Sequence, residues 1–181
     1  MKAVVVYESM FGATHEVATA VAAGLRVRFD SVEVVPVAGA DSASVAAADL
    51  LVVGGPTHAH GMSRSQTRAA AVQNPAKYGG GRPTEPGADG VGVRDWLEAL
   101  SHTGGLAASF DTAMEGPAVL TGHASRGIAH RLRSAGRTVV LPPESFVVLK
   151  GGALRGCEQD RAEAWGRTLA AVACGELTSH A

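Results

Sequence analysis

The sequence predicts an α/β fold of the doubly wound kind, a parallel sheet with helices on both faces. Two observations predict it: short β-branched runs recur along the chain, and helix-period stretches alternate with them. A third, the uninterrupted apolar run Ala3 to Tyr7, reads as a strand buried on both faces. At 181 residues and 46% hydrophobic content, the chain suits one globular domain over 1–181 with a sizeable core.

After the first strand, Val17, Ala18, Val21, Ala22 and Leu25 fall on one helical face. SVEVVPV follows as a second strand. Its Pro36 removes a ladder donor, which places it at a sheet edge. Asp41 is a cap for a short Ala-rich helix ending near Ala48. LLVV (50–53) is the third strand, stopped by Gly54, Gly55 and Pro56. Val93, Trp96, Leu97 and Leu100 fit a helix, and GLAASFDT (105–112) is the fourth strand.

Ile128, Ala129, Leu132 and Ala135 mark a helix ended by Gly136. TVVL (138–141) and SFVVL (145–149) flank Pro142 and Pro143, as one strand position broken in two. A last helix runs from about Glu158 to Ala173. Residues 74–92, NPAKYGGGRPTEPGADGVG, interrupt the alternation. Their Gly and Pro content argues against any regular element, and their length marks an insertion, a mobile loop or a lid. A plain surface loop is the commoner case.

Composition excludes several classes of function. A net charge of −1 with no Lys/Arg block gives no field for nucleic acid or an anionic membrane. MKAVVVYES lacks the apolar length of a secretory signal, and no segment approaches the ~20 apolar residues of a membrane span. A cytoplasmic location is expected. Cys157 and Cys174 are far apart and form no CxxC, so they read as ordinary helix residues.

The turn after strand one, YESMFGATHE (7–16), carries the chemistry. A helix beginning near Ala13 points free N–H groups and the positive end of its dipole into this turn. Amides and hydroxyls alone can then hold an anion. Ser9 and Thr14 supply hydroxyls, and Gly12 lets the backbone wrap closely. The turn has one Gly where a dinucleotide fingerprint needs three, and it lacks the Gly-Lys-Ser/Thr of a P-loop. A phosphate-accepting receiver would need carboxylates ending strands one and three. Glu8 serves once, but the third strand ends VVGG.

On these residues the sequence resembles the flavodoxin family, whose first loop reads Ser/Thr-x-Ser/Thr-Gly-x-Thr. Ser9-Met10-Phe11-Gly12-Ala13-Thr14 matches at the first, fourth and sixth positions, with Phe11 replacing the middle hydroxyl. VVGGPTHAHGMS (52–63) is similar to the family's second loop, Gly-x-Pro-Thr after strand three. The resemblance implies a three-layer sandwich with a five-stranded parallel sheet in the order 2-1-3-4-5. It implies bound FMN, its phosphate on the loop 9–14. The ring would lie between Pro56, Thr57, His58, Ala59, His60 and Gly61 on one side and Thr112, Ala113 and Met114 on the other. Family members adjust a peptide beside the flavin on reduction, and the resemblance assigns His60-Gly61 that part, since Gly61 accepts a positive φ.

The role implied is electron transfer or flavin-dependent oxidoreduction, with a redox partner protein or a small electron donor. Two departures stand out. Loops 57–62 and 112–116 contain no Phe, Tyr or Trp to enclose a ring, leaving His58, His60, Met62 and Met114. The chain also lacks the strong acidity of electron-carrier flavodoxins, which steers them to basic partners.

Other readings compete. A flavodoxin-like fold without FMN would serve as an interaction module. Ser125, Asp160 and His180 follow the order of an α/β-hydrolase triad, although His123 stands where the nucleophile elbow needs Gly. The blander reading of Ser125-Arg126-Gly127 is a helix N-terminus, with Arg126 a candidate for flavin or substrate. His58 and His60 lack a nearby third ligand for a metal.

Overall fold

The computed structural model describes residues 1–58, 61–116 and 122–179. Strand β1 (Lys2–Tyr7) pairs in parallel with β2 (Ser31–Pro36) on one side and β3 (Leu50–His58) on the other. The chain between them forms helix α1 (Ala13–Leu25) and α2 (Ser42–Ala46), the latter capped by the Asp41 carboxylate, which accepts from the Ser44 N–H at 2.7 Å. β2 is an edge strand, and Pro36 is its last residue.

Beyond β3 come a two-residue strand β4 (Gly61–Met62), then α3 (Ser65–Gln73), α4 (Pro75–Gly79) and α5 (Val93–Ala99). β5 (Leu106–Met114) pairs in parallel with the far side of β3. The chain continues through α6 (Ala124–Ser134), β6 (Thr138–Val139), β7 (Glu144–Val148) and α7 (Glu158–Ser179). β6 pairs with the start of β5 and β7 with its end, so the two share the fifth position, divided at Pro142-Pro143 as the sequence predicts. The parallel sheet therefore runs β2-β1-β3-β5 with β6 and β7 sharing the last place, the expected order of five strand positions. β4 is an addition, antiparallel to the end of β3.

Successive side chains of a strand point to opposite faces, and in β1 they enter two separate cores. Ala3, Val5 and Tyr7 pack with Val17, Val21 and Leu25 of α1 and Ala162, Leu169 and Ala173 of α7. Val4 and Val6 pack with Val45 of α2, Val93 and Leu97 of α5, and Ile128 and Leu132 of α6. Both faces of the sheet are thus covered, which is why β1 reads as continuously apolar. Phe110, Phe146 and Trp165 meet edge to face on the first side, with centroids 6.1–6.3 Å apart.

Three features differ from the sequence reading or are missed by it. β3 does not stop at Gly54 but runs on to His58. Its pairing with β1 ends at Gly54, so Pro56 sits where β3 has only β5 beside it and a missing N–H is tolerated. Gly54 is required by packing, because a Cβ there would stand 2.0 Å from the Phe110 ring. Second, α3 is a helix the periodicity does not reveal; its sequence SQTRAAAVQ carries little apolar signal. Third, the Gly/Pro-rich segment does contain a regular element. Pro75 opens the single turn of α4, where its fixed φ suits the first helical position and no N–H is missed.

Candidate functional site

Strands β1, β3, β5 and β7 all end toward one edge of the sheet, and a cavity of about 430 Å³ opens there. Ser9, Met10, Phe11, Ala13 and Thr14 line it from the first loop, and Pro56, Thr57 and His58 from the end of β3. Thr112 and Met114 contribute from β5. The carboxyl edge of an open α/β sheet is the usual place for a ligand. No carboxylate lines this cavity among the described residues.

The first loop is shaped by its own polar groups. Gly12 adopts φ +97°, a conformation only glycine takes without strain, and it has no side chain to cap α1. Its N–H donates to Ser9 Oγ at 3.1 Å. Ser9 is an acceptor in that bond, so its own hydroxyl hydrogen remains to donate. Thr14 Oγ1 lies 2.7 Å from Thr112 Oγ1, and one of these two hydroxyl hydrogens is likewise left over. The N–H groups opening α1 have no partner within the helix. Hydroxyls and amides converge here with the positive end of a helix dipole, a donor set suited to a phosphate.

The second loop is tied differently. Thr57 Oγ1 accepts from the Ala124 N–H at 2.9 Å, and Asp111 Oδ2 accepts from the Ser125 N–H at 2.8 Å. The ends of β3 and β5 thereby hold the start of α6. Ser125 is 1% exposed, a helix N-terminal residue as the blander reading has it. Buried there, its hydroxyl cannot meet a substrate as a hydrolase nucleophile. Arg126 is exposed and does not line the cavity.

Burial, and secondarily the positive charge of Arg68, pushes the His58 imidazole below its ordinary value. Arg68 itself is 2% exposed, donating to Ser63 Oγ, Gly90 O and Asp95. His58 is therefore expected to stay neutral where an exposed histidine is half protonated, near pH ~6.5. A folded pKa below the unfolded one contributes stability that is complete above the unfolded value. That contribution is lost as pH falls through the folded value. Denaturant midpoints at pH 7.5 and 5.5 should differ more for the wild type than for His58→Gln, and an equal difference would refute the assignment.

No protein-family model matches the sequence, and no curated protein matches it. Solved structures do. An archaeal flavodoxin aligns over 96% of this chain and 99% of its own, with a TM-score of 0.66 and 20% identity. Flavodoxin 1 from Bacillus cereus aligns over 92% and 95%, with a TM-score of 0.61 and 18% identity. The chain has the flavodoxin fold. The flavodoxin fold also recurs inside a larger protein, the rubredoxin oxygen:oxidoreductase of Desulfovibrio gigas. That match covers 97% of this chain but 37% of the other, with a TM-score of 0.62 and 15% identity.

Within this flavodoxin fold the expected site residues are not all equivalent. Ala59 and His60 lie outside the described residues, as does His180. Gly61 is opposite His58 in the β3–β4 pair and has no positive φ; a Cβ there would meet nothing within 4 Å. Ala113 is buried and Gly12 forms the loop without lining the cavity. Met62 belongs to the core beside Gly127, so of the two methionines only Met114 reaches the cavity.

Several lining residues escape the sequence reading. Gln66, Thr67 and Ala70 come from α3, and Val148 and Gly152 from the end of β7 and the turn after it. Tyr78 comes from α4 and supplies the aromatic side chain that loops 57–62 and 112–116 lack. A tyrosine set among NPAK and GGG in an otherwise polar segment is the one sequence signal that could have pointed to it.

Proposed function

We propose that the cavity binds FMN and that the protein acts in electron transfer or as an FMN-dependent oxidoreductase. The observation that carries this reading is the convergence of the Ser9 and Thr14 hydroxyls and the start of α1 on a mostly apolar cavity at the sheet's carboxyl edge. Bound FMN would supply one- and two-electron redox chemistry. Ser9, Thr14 and the amides from Met10 to Ala13 would hold its phosphate. Pro56, Thr57, His58 and Gly61 on one side, and Thr112 and Met114 on the other, would flank its ring together with Tyr78.

Burial, and secondarily Arg68, lowers the His58 pKa, which favours an imidazole that adds no charge beside the ring. Tyr78, Met114 and Leu149 are 45%, 48% and 42% exposed and give this end of the molecule an apolar rim. Such a rim suits exchange of electrons with a redox partner protein or a small donor by contact. No helix among the described residues is long and apolar enough to cross a membrane.

Titration of the purified protein with FMN, followed by flavin absorbance and fluorescence, tests the reading. Thr14→Val removes a hydroxyl without changing shape. It is expected to weaken FMN roughly ten- to hundredfold, the range for a hydrogen bond to a charged group, and to weaken riboflavin far less. If the wild type binds no FMN at high concentration, the fold serves instead as an interaction module.

A further inference from the structure

The loop 9–14 contains no cation, yet the structure brings one to it from elsewhere in the chain. Arg82, in the Gly/Pro-rich segment, donates from Nη2 to Glu16 Oε1 at 2.9 Å. The same nitrogen stands 3.4 Å from where a Cβ on Gly12 would be. Glu16 is in the first turn of α1, so a carboxylate sits beside the place where the helix dipole favours an anion. Left alone, that carboxylate would repel a phosphate dianion.

The position of Arg82 is fixed by contacts on both sides. The Glu85 N–H donates to Met10 O at 2.9 Å, and Glu85 Oε1 lies 2.9 Å from His15 Nδ1. His15 in turn stacks on Tyr7, with centroids 4.7 Å apart. The Phe11 ring lies against Gly79, where a Cβ would come within 2.4 Å of it. The segment is thus docked on the first loop by backbone, charge and ring contacts. Gly79 is required because only its bare Cα lets Phe11 lie so close.

We propose that Arg82 is a specificity-determining residue that makes this site select a phosphorylated flavin over the unphosphorylated one. It neutralises Glu16 and, with Nη2 beside Gly12 and side-chain donors left over, adds positive charge next to a phosphate on the loop. Planar guanidinium groups offer five donors, enough to serve two anions at once. The inference rests on the FMN reading, and it adds a charge contribution that the loop's own residues do not make.

The test compares FMN with riboflavin as ligands of the full chain, by fluorescence titration at low and moderate salt. Arg82→Gln is expected to weaken FMN about tenfold, the scale of a charge pair a few ångströms apart at an effective dielectric near 20 after solvent screening. Riboflavin should change less than about twofold. Adding Glu16→Gln to Arg82→Gln should recover most of the FMN loss, and raising the salt should shrink it. The pair is partly exposed, so both variants are expected to keep the wild-type unfolding midpoint.

Equal weakening of FMN and riboflavin would make Arg82 a support for the segment only, and the proposal would be wrong. Unchanged FMN binding in Arg82→Gln would overturn it too, while leaving the FMN reading intact. A wild type that binds riboflavin as well as FMN removes the selectivity. One that binds neither removes the FMN reading and this inference together.

Discussion

Gly166→Ala is expected to destabilise the protein by about 2 kcal/mol or more, although alanine is the better helix former by ~1 kcal/mol. The reason is the crossing of α1 and α7. A Cβ on Gly166 would stand 2.4 Å from the carbonyl oxygen of Val21, and one on Gly24 would stand 2.2 Å from that of Glu163. Both obstacles are backbone, which cannot rotate aside as a side chain can. The helices must separate, and the packing of Val17, Val21, Ala162 and Leu169 against the sheet loosens with them. For a chain of this size a loss of about 2 kcal/mol corresponds to a Tm lower by roughly 4–8 °C. Gly24→Ala should cost a similar amount. The double variant should cost less than the sum, because the first methyl has already opened the space the second needs. Strict additivity in thermal unfolding would mean that the two glycines do not share one crossing.

Glu158→Ala is the second large effect. Glu158 is 1% exposed at the start of α7 and holds three groups. It accepts from the Val147 N–H at 3.0 Å, from Arg155 Nη2 at 2.9 Å and from Arg161 Nη2 at 2.5 Å. Arg161 also reaches Glu144 and the Ser145 carbonyl and lies over the Phe146 ring, 4.3 Å from its centroid. Truncation leaves a strand N–H and two guanidinium groups short of an acceptor. Breaking a fully buried pair costs ~3–5 kcal/mol. Both arginines are about two-fifths exposed, so roughly 2 kcal/mol is expected here.

Burial alone would raise the Glu158 carboxyl, but hydrogen bonds from Arg161, the Val147 N–H and Arg155 outweigh it and leave it below its ordinary value. A depressed folded pKa contributes stability that is complete above the unfolded value near ~4.3. It is lost as pH falls through the folded value. The destabilisation by Glu158→Gln should therefore shrink steadily under acid conditions. A variant whose deficit in urea unfolding is the same at pH 3 and pH 7 would contradict this account.

Much of the fold was legible because its signals are local. The run Ala3 to Tyr7 is apolar on both faces, and Pro36 disqualifies β2 from the sheet interior. Pro142-Pro143 divides the fifth strand position where β6 gives way to β7. The failures are nonlocal. Gly54 reads as a strand terminator, yet its bare Cα answers to Phe110, which lies 56 positions later and is paired beside it in the sheet. The helix α3 buries only Arg68, bonded to Ser63, Gly90 and Asp95, and Ala71, packed with Met10 and Ala88, so no apolar periodicity announces it.

The site divides in the same way. Ser9, Gly12 and Thr14 are recognisable from spacing because one turn brings them together. Tyr78 and Arg82 are not, because their relation to that turn exists only once the segment 74–92 has folded back on Met10 and Phe11. A Gly/Pro-rich composition signals the absence of an extended regular element. It does not signal where such a segment docks.

Two helices begin at the edge of the sheet where the cavity lies, and the protein treats their starts oppositely. The first N–H groups of α6 are already committed, one to the Thr57 hydroxyl and one to the Asp111 carboxylate, itself fully buried and bonded to Ser145. An incoming anion there would meet a fixed negative charge. At α1 the cap position is a bare glycine. The edge is therefore polarised from within: a buried carboxylate bonds the start of α6, whereas the Glu16 carboxylate in the first turn of α1 is offset by Arg82. Of the two helix starts, the one at α1 is the better suited to an anionic group.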